Sequence, residues 1–230
     1  MANTTAVLHG YYPSTVYLPH YVTNKDSTLS LIAQFAVLWA LALGIASVII
    51  RRARNSVARS DQFAFIWMCF TGCIHLFFES YFVVYHKTLA GSHTLFGQLW
   101  KEYSLSDSRY LTSDSFLVSM EAVTAFCWGP LAFLIAYCIA TQHPARHVLQ
   151  LIISVGQVYG DVLYYATSMF DLYYHGVSFC RPEGYYFWFY YVFMNFIWLA
   201  VGTYFAYQSA VEITRGMKRL SMMDRSRKNN

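Results

Sequence analysis

The chain has 230 residues, of which 57% are hydrophobic, 19% aromatic and only 12% charged, with a formal net charge of +4. Soluble domains carry about 25% charged residues, so this composition excludes an ordinary soluble fold. It points to one all-α, multi-pass integral membrane domain with no nucleic-acid partner.

The first 28 residues, MANTTAVLHGYYPSTVYLPHYVTNKDST, have neither the basic start nor the apolar core of a cleavable signal. The first apolar segment is therefore expected to act as its own insertion signal. Asn3-Thr4-Thr5 forms a glycosylation sequon within this segment.

A bilayer span needs about 20 predominantly apolar residues. Five stretches meet that need, at residues 29–50, 62–86, 115–141, 147–168 and 185–211. Five transmembrane helices around a central pocket are thus expected, joined on one side by a long loop, 87–114, and followed by a basic tail, 212–230. The fourth stretch, HVLQLIISVGQVYGDVLYYATS, is the most polar.

With five spans, the loop after the first, the loop after the third and the tail share a side. That side holds Arg51, Arg52, Arg54, Arg59, Arg146, Arg215, Lys218, Arg219, Arg225, Arg227 and Lys228; the other holds Lys25, Lys87, Lys101, Arg109 and Arg181. The positive-inside rule places the richer side in the cytosol and the N-terminus in the lumen. Arg227 and Lys228 in the closing SRKNN resemble a dibasic retrieval signal of endoplasmic reticulum membrane proteins.

An ionisable side chain at the centre of a span costs at least about 2.5–3.5 kcal/mol on insertion scales, which makes it a functional candidate by default. Glu79, Glu121, Asp161 and His75 qualify. His75 and Glu79 are four apart and lie one helical turn from each other. Glu121 shares a face with Thr124, and Asn195 with Trp198. Gln150, Ser154, Gln157 and Asp161, spaced 4, 3 and 4, form a continuous polar stripe.

A rise of about 1.5 Å per residue puts Glu79, Glu121 and Asp161 roughly 10 Å, and His75 and Asn195 roughly 15 Å, from the same face. The levels match although the spans alternate in direction, which argues for one site. Interhelical hydrogen bonding is the plainer reading for Gln150, Ser154 and Gln157. It suits Glu79 and Glu121 poorly, because two carboxylates at one depth repel unless one holds a proton.

Gly156 and Gly160 form a GxxxG suited to close helix packing, and Gly129-Pro130 should kink the third span. The loop 87–114, with LWKEYSLSDSRYLTSD, reads either as an interfacial aromatic turn or as a cap over a pocket. The five cysteines form no CxxC pair and no zinc spacing, and four lie in apolar segments as small hydrophobes.

No GxGxxG, Walker loop or HExxH is present, and one intramembrane histidine is too few for a di-iron site. What remains is a set of proton donors and acceptors in an aromatic-walled cavity, with no cofactor. One acid can stay protonated while another serves as base. Aromatic faces, Trp198 among them, can stabilise a cation. Such a site suits the shift of a C=C bond by protonation, a carbocation and loss of a neighbouring proton.

At these residues the chain also resembles the emopamil-binding protein family of sterol Δ8–Δ7 isomerases. The resemblance rests on LWKEYSLSDSRYLTSDSF, MEAVTAFCWGPL, QHPARHVLQLIISVGQVYGDVLYY, YYFWFYYVFMNFIWL and IHLFFESYF, and extends to the HGYYPSTVYLPHYV start. Residues 40–62, 168–183 and the tail depart most from the family pattern. The resemblance implies a five-helix membrane fold of the endoplasmic reticulum whose pocket takes Δ8-sterols in cholesterol synthesis. It implies His75, Glu79 and Glu121 as the proton-transfer residues, with Thr124, Asn195 and Trp198 lining the pocket. Tyr110 and Asp161 are added as substrate-binding candidates.

The resemblance also implies binding of cationic amphiphilic drugs, whose ammonium mimics the carbocation. Self-association, or association with another sterol-synthesis enzyme, completes the expected partners. Glu121 and His75 are the expected exchanging pair, with Glu79 tuning His75. The competing reading is a sterol or drug receptor or carrier without turnover. A proton-coupled transporter is disfavoured by five spans with no inverted repeat.

Overall fold

Lipid offers no partners for backbone amides, so a segment that crosses it must satisfy its hydrogen bonds internally. The computed structural model follows that rule: among the described residues, 9–53 and 57–229, every long element is helical and none is a strand. The Asn3 sequon and Arg54 lie outside the described residues.

Among the described residues, four helices are long and apolar enough to cross a membrane: α1 (Thr28–Arg51), α2 (Arg59–Tyr85), α4 (Ser115–Ala140) and α6 (Tyr186–Lys228). Between them lie a short helix, α3 (Leu95–Tyr103), and α5 (Arg146–Phe170). α1 starts at the Ser27 cap, whose hydroxyl accepts from the Ser30 amide, and α4 at Asp114, whose carboxylate accepts from the Leu117 amide at 3.0 Å. α5 runs on through a widened turn, Asp171–His175, and stops at Gly176, where a φ of +70° suits a residue without a Cβ. α6 does not stop where the apolar run ends near residue 211 but continues to Lys228.

α5 and α6 pack along each other, α2 packs against α4, and α1 rests on α2 and α3. Two apolar clusters form. One gathers Ala46, Ile50, Met68, Ile135, Ile153 and Phe205. The other, at the end carrying residues 87–114, gathers Tyr11, Phe82, Trp100, Tyr110, Leu117, Tyr164 and Tyr191. His75 and Glu79 on α2, Glu121 and Thr124 on α4, Gln157 and Asp161 on α5, and Asn195 and Trp198 on α6 all fall between the residues of the two clusters.

Helices α2 and α4 both loosen at that level. α2 widens to π-helical geometry over Ile74–Glu79, and α4 over Thr124–Trp128, directly before Gly129-Pro130. Pro130 has no N–H for the ladder, which accounts for the break in α4. The two widened turns lie against each other, and Gly129 permits this. A Cβ there would stand 3.1 Å from the Leu76 nitrogen and 3.3 Å from its Cα.

The segment 87–114 is a folded cap rather than a plain connector. Gln98 Oε1 accepts from the Lys25 and Asp26 amides at 2.8 and 3.0 Å, and its Nε2 donates to Asp26. Lys101 is fully buried, and its Nζ donates to the Val22 carbonyl at 2.8 Å. Arg109, also buried, pairs with Asp107 at 2.6 Å and reaches α5 by a 2.9 Å hydrogen bond to Thr167 Oγ1. The cap thus clamps the N-terminal segment on one side and α5 on the other.

Candidate functional site

A cavity of about 390 Å³ opens between α2, α4, α5 and α6, a size typical of sites for small molecules. His75, Glu79, Tyr110, Glu121, Thr124, Asp161, Asn195 and Trp198 all line it. Every one of the eight residues expected from the sequence therefore meets at one place. His75, Glu79 and Glu121 retain only 3%, 9% and 5% exposure.

His75 Nδ1 lies 2.6 Å from Glu79 Oε2, so the i, i+4 pair on the widened turn of α2 is in direct contact. His75 Nε2 faces Gln157 Nε2 of α5 at 2.9 Å. With the amide donating, Nε2 carries the lone pair and Nδ1 the proton, which points at the Glu79 carboxylate. The ring of Trp198 stacks on His75 at 5.3 Å and 28°, and also lies nearly parallel to Phe70. The imidazole is thus fixed by α5, by α6 and by its own helix.

Glu121 reaches the cavity from α4 and shares its wall with Glu79. The phenol of Tyr110, in the cap, donates to Glu121 Oε1 at 3.0 Å. Burial, and then the nearby Glu121, push the Tyr110 phenol well above its ordinary range, so it stays protonated as a donor. Tyr103, also in the cap, accepts at 3.0 Å from Asn195 Nδ2, which donates in addition to the Tyr191 carbonyl at 2.7 Å. The Thr124 hydroxyl donates to the Met120 carbonyl at 2.9 Å. Asp161 Oδ2 is buried with no hydrogen-bond partner among the described residues.

The polar stripe of α5 divides by position. Gln150 Nε2 donates to Gln208 Oε1 of α6 at 2.9 Å, an interhelical bond of the plain kind. Gln157 also bonds helix to helix, as expected, but its partner is the site residue His75 on α2. Its place one turn before Asp161 on the stripe was the available signal. Gly156 and Gly160 turn toward α4. A Cβ on Gly156 would stand 2.5 Å from Trp128, and both glycines line the cavity.

Ser119 and Val123 of α4 and Tyr159 of α5 line the cavity and are also exposed on the outside of the bundle, so the cavity reaches the outer surface between these helices. Among the described residues, no group of three or more His, Cys, Asp or Glu side chains is arranged to hold a metal. The arrangement can hold an apolar molecule and offer it the carboxyl groups of Glu121 and of the His75–Glu79 pair.

The family described as EXPERA (EXPanded EBP superfamily) matches residues 95–209. That stretch includes Tyr110, Glu121, Thr124, Asp161, Asn195 and Trp198, and begins after His75 and Glu79. The chain is 38% identical over 203 residues to the 3-beta-hydroxysteroid-Delta(8),Delta(7)-isomerase of Cavia porcellus, covering 87% of each chain. It is 39% identical over 202 residues to the protein of that name from Mus musculus, covering 87% of this chain and 86% of the relative. For the Rattus norvegicus protein the identity is 36% over 232 residues, covering 97% and 95%.

Proposed function

The chain belongs to the EXPERA family, the expanded EBP superfamily, and on that premise we propose that it is a membrane isomerase that moves the sterol C8–C9 double bond to C7–C8. The observation that carries this reading is the convergence of Glu121 and the His75–Glu79 pair on one apolar cavity. One carboxyl delivers a proton to C9, the cation rests at C8, and a second group removes the proton from C7. The sterol gains and loses one proton, and the facing carboxyls return the enzyme to its starting state.

Glu121 is one exchanging group, positioned by Tyr110. His75 and Glu79 act as a unit, because both ring nitrogens of His75 are occupied by Glu79 and Gln157. Trp198 and the surrounding aromatic rings stabilise the cation. Asn195 and Thr124 shape the wall. The free Oδ2 of Asp161 offers an acceptor to a sterol hydroxyl or to the ammonium of a cationic amphiphile.

α5 is the fifth spanning helix in this reading. It is about 37 Å long at 1.5 Å per residue, hides Gln150, Ser154 and Gln157, and exposes Val148, Ile152, Val155 and Val162. The end bearing Arg146 and the basic stretch of α6 faces the cytosol, the cap faces the lumen, and Arg227 and Lys228 serve retention in the endoplasmic reticulum. Conversion of a Δ8-sterol to its Δ7 isomer by the purified protein tests the proposal. Glu121→Gln and His75→Ala are expected to abolish conversion while a cationic amphiphile still binds. Binding of sterol without conversion by the unmodified chain would favour a receptor.

A further inference from the structure

His75 is buried to 3% exposure, and neither of its ring nitrogens is free. Nδ1 is held by Glu79 Oε2 at 2.6 Å and Nε2 by the Gln157 amide at 2.9 Å. The ring cannot turn to choose other partners, because Trp198 stacks on it. Any adjustment to a change in the ring's charge must therefore come from its partners. Glu79, when ionised, can only accept. The Gln157 side chain carries a donor and an acceptor related by a half-turn of its amide. Lysine or arginine could only donate at this position, and an ionised acid could only accept.

From this geometry we infer that Gln157 is a positioning residue for the isomerisation, whose amide sets the tautomer of His75 and follows its protonation state. When the ring is neutral, the amide N–H donates to Nε2 and directs the single ring proton to Glu79. When the ring is charged, the amide turns over and its oxygen accepts from Nε2–H. His75 then never confronts a mismatched partner, and a buried imidazole can change charge without losing a hydrogen bond. The groups that face His75 and set its balance are Glu79 on α2, Glu121 on α4, and Gln157 with Asp161 on α5. α6 contributes the uncharged Trp198 and Asn195, and the cap contributes Tyr110.

The inference rests on the isomerase reading for its kinetic arm and is independent of it in its spectroscopic arm. The experiment compares the full-length protein with Gln157→Met and Gln157→Glu. It measures kcat and KM for a Δ8-sterol across pH, and nitrogen NMR of histidine-labelled protein with His75→Ala as the assignment control. In the unmodified protein His75 should report a protonated Nδ1 and a bare Nε2 at neutral pH.

Gln157→Met should mix the two tautomers and lower kcat by about ten- to a hundredfold, with KM within about threefold. Gln157→Glu should favour the charged ring and move the acid limb of the rate profile up by about one pH unit. Gln157→Met with unchanged kcat and unchanged His75 signals would overturn the inference. So would a loss that follows thermal stability and KM while the pH profile and tautomer stay the same, because that marks a purely structural contact. If Gln157→Met does not fold, Gln157→Glu keeps the polar bulk and its spectra decide. If the unmodified protein turns over no sterol, the isomerase reading fails alone, and the tautomer measurement still tests Gln157.

Discussion

The phenol of Tyr110 donates a 3.0 Å hydrogen bond to Glu121 Oε1, joining the cap to a carboxyl deep in the helical bundle. The donor comes from the short turn Ser108–Leu111 and the acceptor from α4, eleven residues later. Tyr110→Phe removes the donor and leaves the ring in place against Phe82 and Trp100. A buried acceptor left unsatisfied costs about 1–3 kcal/mol. Turnover should fall about ten- to a hundredfold with the thermal midpoint changed by only a few degrees, measured by sterol conversion and by a melting curve.

Next to Tyr110 in the cap, the Arg109 guanidinium pairs with Asp107 at 2.6 Å. Removing one partner of a buried pair costs about 3–5 kcal/mol, since the other charge is left without compensation. Asp107→Asn should therefore lower stability far more than Tyr110→Phe does, and should reduce turnover through loss of the cap. Denaturant unfolding of the two variants side by side checks the order; equal stabilities would refute it.

Lys101 gives the cap a pH dependence. Its ammonium is buried against a single backbone carbonyl, and burial pulls its pKa from 10.5 down to about 8. Above pH 8 the folded state releases this proton while the unfolded chain keeps it until about 10.5. The unfolded state then binds more protons, so this group's contribution to stability rises with pH across that window and is flat below it. Lys101→Met should remove that rise. The difference between the two stability profiles from pH 7 to about 10.5 measures it.

The floor of the cavity is sensitive to a single methyl group. Gly156→Ala would place a Cβ 2.5 Å from the Trp128 ring, which must shift toward the cavity or push α5 away. Overpacking of this kind costs about 1–3 kcal/mol. Sterol KM should rise about tenfold, with a smaller change in kcat, because the ring takes space from the ligand and not from the proton-transfer groups.

Much of this site was legible in the sequence, because an ionisable side chain in an apolar run has few reasons to be there. His75, Glu79, Glu121, Asp161, Asn195 and Trp198 could each be placed on a helix face by spacing, and their levels by rise per residue. Helical spacing does not say which neighbour a face meets. Gln150 and Gln157 therefore looked alike, although one bridges to Gln208 and the other to His75. Pro130 marked the break in α4, but nothing in IHLFFE marks the widened turn of α2, which lies against that of α4. The fold of the cap was also hidden. Its buried Lys101, Asp107 and Arg109 have the composition of an exposed loop, and only their partners make burial tolerable.

The central claim is that Glu121 and the His75–Glu79 unit of this cavity pass protons to and from a sterol carbon. Incubating the purified protein with a Δ8-sterol in deuterated water, followed by mass and deuterium NMR analysis of the product, tests it most directly. The account predicts a Δ7-sterol carrying one deuterium at C9, absent when Glu121→Gln is used. Recovery of unlabelled, unconverted Δ8-sterol from the active-site-intact protein, despite saturable sterol binding, would contradict it.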